Sequence, residues 1–318
     1  MSIEVIALGE PMVEFNAATV GKLRGISSFE RGWGGDTSNF VVAVARLGRR
    51  AGYICRVGDD EFGHCMLELW SKEGVDTSQV IVEKGGTTGI YFVSRRPDGE
   101  HDFTYYRKNS AASHLSPSDL DPKYIASAKV LHASGITQAI SETCRKATAE
   151  AIRIAKKGGS LVSYDPNIRL RFWSAKEARR VVMETLRKVD IFLPSENDLT
   201  VIFGLKKPGS IVKLTKDYGI KVTAVKMGEK GCYVSDGEQY VFVPGVKTRF
   251  VDSTGAGDAF DAAFVVSILE GKNFLDAAKF ANVAAALKCT GVGAVGPLPR
   301  RSKVMSFLNK KRENLINR

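Results

Sequence analysis

A turn of small residues immediately precedes an apolar helical stretch in the last quarter of the chain. Residues 252–258 read Asp-Ser-Thr-Gly-Ala-Gly-Asp, and Phe260, Phe264 and Ile268 then recur every four positions, as one face of a helix would. A helix N-terminus offers unpaired N–H groups and the positive end of a dipole, both of which favour an anion. Asp258 falls in the first turn, where a carboxylate can take a proton from an attacking hydroxyl. The pattern predicts phosphoryl transfer to an alcohol.

The expected catalytic residues are Asp258 as the base and Gly255, Ala256 and Gly257 as the backbone that stabilises the moving phosphoryl group. These residues are small enough for the backbone to wrap closely around a ligand. An ordinary tight turn followed by an acidic dipole partner would use the same residue types. The turn by itself therefore leaves both interpretations open.

Two other loops carry polar side chains that can reach a ligand. Residues 165–169, Asp-Pro-Asn-Ile-Arg, follow an apolar run that predicts a strand, and ligands of open α/β sheets bind at the carboxyl ends of strands. Residues 34–39, Gly-Gly-Asp-Thr-Ser-Asn, open a predicted helix, and their glycines permit close approach of a ligand. Asp36 and Asn39 can hydrogen-bond to sugar hydroxyls, although Asp36 could equally be a helix N-cap.

These strings resemble the signatures of the ribokinase family, also called the PfkB carbohydrate kinases. Residues 252–258 are similar to its C-terminal signature, 165–169 to its Asp-x-Asn-x-Arg loop and 34–35 to its Gly-Gly signature, which holds the sugar. The resemblance implies that Asp258 is the catalytic base and that residues 255–257 form the anion hole. It also implies ATP and Mg²⁺ as cofactors. Whether a monovalent cation assists near residues 251–252 is left open.

The resemblance also implies a nucleotide site. Residues 226–231, Lys-Met-Gly-Glu-Lys-Gly, are similar to the family's adenine and ribose edge, and Asn282 falls where the family often places an adenine contact. The expected ATP-binding residues are Asn167, Arg169, Ser195, Lys226, Gly228, Gly231, Gly255, Ala256, Gly257 and Asn282. The family's Asn-x-x-Glu motif, which organises the water shell of Mg²⁺, is altered here to Ser195 and Asp198. We expect Glu196 and Asp198 to take that role.

Aromatic and basic residues in the predicted lid point to the substrate. Aromatic rings stack on sugar faces and Arg pairs with carboxylates, so this set can recognise an acidic sugar, although the tyrosines could equally serve lid packing. The expected substrate-binding residues are Gly34, Gly35, Asp36, Asn39, Tyr91, Tyr105, Tyr106, Arg107, Arg169 and Asp258.

The string Tyr-Tyr-Arg-Lys-Asn-Ser-Ala-Ala at 105–112 resembles the 2-keto-3-deoxygluconate kinases within the family, as does Trp-Gly-Gly-Asp-Thr-Ser-Asn at 33–39. The implied reaction is phosphorylation of the terminal hydroxyl of 2-keto-3-deoxygluconate. Fructokinase, ribokinase and nucleoside kinase activities remain alternatives within the family. A non-catalytic sugar-binding regulator is the alternative outside the enzymes.

The elements that must position these residues alternate between strand and helix. Apolar strand candidates at 3–8, 53–57, 130–133, 161–164, 191–193 and 222–225 are separated by helical patterns, which predicts an α/β fold with a parallel sheet covered on both faces. β-rich segments with turns at 84–86 and 97–99 predict a small inserted β-sheet. We expect one ribokinase-like three-layer αβα domain over 1–318, with lid segments at about 12–33 and 80–107. Such a lid would shield the reaction from water.

Composition excludes several other classes. No apolar run approaches the ~20 residues of a membrane span, and the N-terminus lacks a basic leader, so we expect a cytoplasmic protein without a membrane partner. The five scattered Cys and four scattered His predict neither a disulfide framework nor a zinc site. Residues 291–296 match G-x-G-x-x-G but follow a helical stretch near the chain end, which argues against a dinucleotide site. No Walker A sequence is present.

The net charge of +11 could indicate nucleic-acid binding, but +6 of it lies in residues 300–318. A basic terminal tail is usually solvated, and the remaining excess would attract ATP and an anionic substrate. We therefore expect no nucleic-acid partner. Because a β lid exposes strand edges that can pair between subunits, we expect a homo-oligomer.

Overall fold

The computed structural model describes residues 2–96, 101–205 and 207–316, which form two β-sheets with helices packed around the larger one. The strands are β1 (Val5–Leu8), β2 (Pro11–Val20), β3 (Phe29–Gly35), β4 (Ala51–Gly58), β5 (Asp76–Glu83), β6 (Gly89–Arg95), β7 (His101–Tyr106), β8 (Val130–Ser134), β9 (Leu161–Asp165), β10 (Ile191–Phe192), β11 (Val222–Lys226), β12 (Gly231–Ser235) and β13 (Tyr240–Pro244). The helices are α1 (Ser38–Arg46), α2 (Glu61–Glu73), α3 (Pro122–Ser127), α4 (Gly135–Ile140), α5 (Glu142–Lys157), α6 (Ala175–Leu186), α7 (Glu196–Phe203), α8 (Ser210–Asp217), α9 (Ala256–Leu269), α10 (Phe274–Lys288) and α11 (Arg301–Ile316).

The larger sheet has the strand order β13-β12-β11-β10-β9-β8-β1-β4-β5 within the described residues. Its strands pair in parallel except at one edge, where β11 with β12 and β12 with β13 form antiparallel pairs. Each face buries its own apolar cluster, one with α1, α2, α9 and α10 and the other with α5, α6, α7 and α8. The predicted αβα fold with a mostly parallel sheet is confirmed.

The smaller sheet has the order β3-β2-β6-β7. β2 and β6 pair in parallel, whereas β2 with β3 and β6 with β7 form antiparallel pairs. The chain leaves β1, passes through β2 and β3, and returns to the body as α1, which opens with the predicted sugar-binding segment. The small sheet is therefore anchored directly beside the first residues of α1.

The predicted lid segment from 80 to 107 does not begin in the small sheet. Residues 80–83 belong to β5, which pairs in parallel with β4 and forms the outer edge of the large sheet. A strand at the edge of a sheet is only partly buried, so its pattern of apolar and polar residues resembles that of a hairpin strand. The turn at 84–86 consequently leads from one sheet to the other, and the predicted turn at 97–99 lies outside the described residues.

The start of the basic C-terminal segment is structured rather than solvated. Val304 of α11 is fully buried, and Arg301 forms an ion pair with Glu270 at 2.6 Å, which ties α11 to the end of α9. Across the three described stretches of chain, no helix combines the length and apolarity needed to cross a bilayer.

Candidate active site

A cleft of about 910 Å³ lies between the small sheet and the loops that follow the strands of the large sheet. Most of the residues predicted from sequence line it. They are Gly35, Asp36, Asn39, Tyr91, Tyr105, Asn167, Arg169, Ser195, Asp198, Lys226, Gly228, Gly255, Gly257 and Asp258. The structure thus brings together side chains separated by more than two hundred positions in the sequence.

The small-residue turn caps α9 at the floor of this cleft. Gly255 has a φ of 77°, in the left-handed region, and a Cβ there would lie 3.0 Å from the carbonyl oxygen of Ala294. The carboxylate of Asp252 accepts hydrogen bonds from the backbone N and Oγ1 of Thr254 at 2.8 and 2.7 Å and from Gly293 N at 2.7 Å. The first N–H groups of a 14-residue helix are therefore held in place as an anion site.

Asp258 lies in the first turn of α9, beside the anion site. Its Oδ2 accepts a hydrogen bond from Asn39 Nδ2 at 2.9 Å, and the same amide donates to Gly35 O at 3.0 Å. Burial raises the pKa of Asp258 to about 7, the Asn39 hydrogen bond opposes this rise, and the nearby carboxylate of Asp165 adds to it. A carboxyl group with a pKa near neutrality is suited to accept and release a proton.

Lys226, at the end of β11, is held between two acidic side chains. Its Nζ contacts Asp165 Oδ2 at 2.8 Å and both oxygens of Asp261 at 2.9 and 3.0 Å. Burial alone would lower the pKa of Lys226, but the two carboxylates raise it. The ammonium lies 3.7 Å from the position that a Cβ on Gly257 would occupy, so it adds a positive charge beside the anion site.

Arg107 does not reach the cleft, contrary to the prediction that it binds substrate. Its side chain is buried, and its Nη2 and Nη1 donate to the carboxylate of Asp36 at 2.6 and 3.3 Å, while its Nε donates to Glu10 at 2.6 Å. Two carboxylates occupy both edges of the guanidinium that can bind a carboxylate in a bidentate way. Its effect on the cleft is to orient Asp36.

The inner face of the small sheet presents aromatic rings to the cleft. Tyr91, Phe103 and Tyr105 lie with ring centroids 5.6 to 6.3 Å apart, and the hydroxyl of Tyr91 donates to Glu14 at 2.9 Å. Tyr106 does not join them, contrary to prediction. It is 62% exposed and contacts Phe92 on the opposite face, because neighbouring residues of a strand point to opposite sides.

The two carboxylates predicted to serve Mg²⁺ differ in position. Asp198 lines the cleft, but its Oδ1 accepts from Ile168 N at 2.9 Å and its Oδ2 from Ser195 N and Oγ at 2.8 and 2.6 Å. Glu196 is exposed at the start of α7 and does not line the cleft, since Ser195 and Asp198 form the capping box of that helix. Among the described residues, no group of three or more His, Cys, Asp or Glu could hold a metal ion.

Four other predicted residues lie behind the cleft surface. The side-chain amide of Asn282 donates to the carbonyls of Val243 and Pro244 at 3.1 and 3.2 Å, so it fastens β13 to α10. The remaining three contribute backbone and no cleft-lining side chain. Gly34 packs against the ring of Tyr91, Gly231 begins β12 with a φ of 114°, and Ala256 is the first residue of α9.

Sequence reasoning missed several residues of the site. Those that line the cleft are Met12, His101, Phe103, Ile136, Phe250, Ser253 and Thr254, whereas Asp165 belongs to the loop that was expected to reach a ligand and lines the cleft as well. Because residues of a strand alternate between its faces, Phe103 on β7 lies on the same face as Tyr105. Asp261 follows Asp258 by three positions on α9 and so lies on the same side of that helix. Sequence spacing could therefore have predicted Phe103 and Asp261. Nothing local marks Ile136 or Phe250, which reach the cleft only through the tertiary fold.

Comparisons with known proteins place this arrangement in a family. Residues 2–301 match the pfkB family carbohydrate kinase pattern. The chain is 36% identical to 2-dehydro-3-deoxygluconokinase of Thermoproteus tenax, over 95% of this chain and 93% of that one. It is 34% identical to fructokinase-1 of Zea mays, over 96% of this chain and 98% of that one.

A solved structure gives the same result at the level of the fold. Fructokinase from Vibrio cholerae O395, a double mutant in its fructose-, ADP- and potassium-bound form, superposes with a TM-score of 0.85 at 29% identity, over 96% of this chain and 99% of that one. The family match spans nearly the whole chain, and the cleft carries a helix N-terminus that could bind an anion, with a carboxyl group beside it. The chain belongs to the PfkB family of carbohydrate kinases, the sugar kinases that the sequence predicted.

Proposed function

We propose that this sugar kinase transfers the γ-phosphoryl group of ATP to the terminal hydroxyl of 2-keto-3-deoxygluconate, forming 2-keto-3-deoxy-6-phosphogluconate. The observation that carries the substrate assignment is Arg169. It is exposed in the cleft, and within the described residues no carboxylate pairs with it. Arg107, the other predicted partner for a substrate carboxylate, is buried and already paired with Glu10 and Asp36. A sugar acid supplies the anion that Arg169 lacks.

The reaction requires a base, an anion site and an acceptor oxygen in line. Asp258 accepts the proton of the terminal hydroxyl as its oxygen attacks phosphorus. The N–H groups of residues 255–257 and the ammonium of Lys226 stabilise the charge on the transferred group. Because such transfer depends mainly on positioning and electrostatics, the fixed turn at Gly255 and the fixed lysine are the main contributions of the protein.

Asn39 binds the acceptor end of the sugar. Asn39 is 4% exposed, and its amide nitrogen donates hydrogen bonds to Asp258 and to the carbonyl of Gly35. Its Oδ1 is buried with no hydrogen-bond partner among the described residues, which leaves it available to a sugar hydroxyl. Tyr91, Phe103 and Tyr105 cover the sugar from the small sheet.

The nucleotide lies along Asn167, Ser195, Lys226 and Gly228, which line the cleft. Bound Mg²⁺ neutralises charge on the phosphate oxygens. Asp198 is the carboxylate that fits this role, through water, because backbone and hydroxyl donors already occupy both of its oxygens. Glu196 is not suited to it, since it lies outside the cleft.

Fructokinase is the second candidate, because a fructokinase relative matches this chain almost as well as a 2-dehydro-3-deoxygluconokinase does. The test is ADP release with a panel of 2-keto-3-deoxygluconate, fructose, ribose and adenosine. We expect the keto acid to have the highest kcat/KM, and higher values for fructose would contradict the substrate assignment. Saturable sugar binding without ADP release would indicate a regulator.

Arg169→Ala separates acid recognition from general sugar binding. We expect KM for the keto acid to rise by about 10-fold or more, as for a charged hydrogen bond, while any activity on fructose changes little. Arg180→Ala is the matched control, because Arg180 is exposed on α6 and pairs with Glu184. An unchanged KM for the keto acid in Arg169→Ala would remove the argument for an acidic substrate.

A further inference from the structure

A lysine is completely buried behind the anion site. Lys288 is the last residue of α10 and its side chain is 0% exposed. Its Nζ donates to the main-chain oxygen of Asp252 at 2.9 Å and lies 4.0 Å from Oδ2 of the same residue. Burying an ammonium group costs several kcal/mol unless it is paired, so simple packing does not account for a lysine at this position.

The carbonyl that Lys288 contacts belongs to the segment that carries the anion site. The carboxylate of Asp252 holds Thr254 and Gly293, and the backbone N of Asp252 and of its neighbour Val251 donate to Cys289 O at 3.3 and 2.8 Å. Burial lowers the pKa of Lys288, and the carboxylate of Asp252 opposes that change. The ammonium therefore joins the end of α10 to the start of the turn at 252–255.

This contact bears on the monovalent cation that the sequence left open near residues 251–252. The Vibrio cholerae fructokinase structure contains a potassium ion, and potassium binds main-chain carbonyl oxygens in proteins. Here the carbonyl of Asp252 accepts from Lys288, which has the same charge as the ion. The residues present do not fit a potassium ion on this carbonyl.

We propose that the ammonium of Lys288 is a built-in replacement for a monovalent cation. It acts as a positioning residue: it holds the carbonyl of Asp252, and through it the turn at Gly255, in the shape that binds the phosphoryl group. The kinase is accordingly independent of added potassium. The inference rests on the kinase activity of the proposed function but not on the identity of the sugar.

The wild-type protein gives the first test. Its kcat is measured in KCl, NaCl and choline chloride at equal ionic strength, with ADP quantified by chromatography so that no coupling enzyme experiences the salt. We expect the same kcat in all three salts. Activation by KCl of about 10-fold, a typical coupling between two sites, would overturn the proposal.

Lys288→Met gives the second test, with Lys279→Met as the matched control on the exposed face of α10. In choline chloride we expect kcat of Lys288→Met to fall by about 10-fold or more while KM for the sugar changes little. KCl or NH₄Cl should restore it, because the vacated carbonyl can then bind a free cation. Full activity without potassium, or a loss that no cation repairs, would overturn the proposal.

Thermal melting provides a readout that does not depend on any substrate. We expect KCl to raise the Tm of Lys288→Met above its value in choline chloride and to leave the wild-type protein and Lys279→Met unchanged. If no sugar were phosphorylated, the kinase proposal would fail while melting still tested the cation role. If Lys288→Met and Lys288→Gln both failed to fold even in KCl, a free cation could not replace the lysine, and the proposal would be wrong.

Discussion

At the scale of single residues, the proposed chemistry depends on how burial and hydrogen bonding set the pKa of one carboxyl group, that of Asp258. Burial raises the pKa of Asp258 to about 7, and the amide of Asn39 keeps it from rising further. The group is therefore close to half ionised at neutral pH. Because only the ionised form can accept a proton, we expect the balance between Asn39 and burial to determine the fraction of active enzyme if Asp258 is the base, as proposed.

The pH dependence of kcat/KM follows from this balance. Asp258 is protonated below its pKa and ionised above it, so kcat/KM should rise with pH through about 7. Asn39→Ala removes the hydrogen bond that lowers this pKa, so the rise should move to higher pH. Asn309→Ala, on the exposed side of α11, is the control. A profile that is flat between pH 5.5 and 8.5 would contradict the role of Asp258, since the range brackets about 7.

Asp258→Asn tests the base directly. We expect kcat to fall by about 10²–10⁴-fold, the range for a positioned general base. Burial disfavours the ionised carboxylate, so the wild-type protein loses this residue's contribution to stability as pH rises through about 7. The neutral amide does not titrate, and the variant should unfold in urea at pH 8 with a free energy no lower than the wild-type value. Near-normal turnover in a folded variant would exclude Asp258 as the base.

Lys226→Met tests the charge balance beside the base. The substitution leaves Asp165 and Asp261 buried without their cation, and breaking a buried pair in this way costs about 3–5 kcal/mol. We expect that loss in the free energy of urea unfolding at pH 7. Lys230→Met, at an exposed position just after β11, should change it little. Equal stability of the two variants would contradict a stabilising ion pair between Lys226 and Asp165.

At the scale of elements, local patterns predicted the elements that carry the anion site but not the packing of the small sheet. Asp252–Asp258 and the four-residue repeat after it specify a helix N-terminus, and the structure has α9 there. The pairing of residues 80–83 with β4 is a long-range contact that no local pattern encodes. Arg107 was predicted to bind substrate because its actual partners could not be foreseen from local sequence: Glu10 lies 97 residues and Asp36 71 residues earlier in the chain.

Gly255→Ala tests the turn that begins α9. A Cβ would meet Ala294 at 3.0 Å in addition to the strain of a left-handed backbone, which costs about 1–2 kcal/mol. We expect kcat to fall by about 10²-fold, as for a small misplacement of catalytic groups, with little change in KM for the sugar. Gly271→Ala is the matched control at the other end of α9, with a φ of 73° and no atom within 4 Å of a new Cβ. Equal kcat in both variants would contradict a catalytic role for the shape of this turn.

At the scale of the whole molecule, the two sheets contribute different groups to the cleft. The body holds the proposed base, anion site and nucleotide edge on loops fixed by buried strands. The small sheet contributes rings and is linked to the body through short connections at 9–10, 36–37 and 84–88. Its inner face belongs to the cleft, whereas on its outer face Phe92 contacts both Phe29 and Tyr106.

The outer face of the small sheet is where we expect the predicted homo-oligomer to form. Tyr106 is 62% exposed there, and both sheet edges, β3 and β7, have unpaired sides within the described residues. We expect light scattering to give twice the chain mass at micromolar concentration, and Tyr106→Glu to shift it toward the monomer. Leu275→Glu, which places the same charge on exposed α10, should leave the mass unchanged. A wild-type monomer, or equal effects of both substitutions, would exclude assembly through this face.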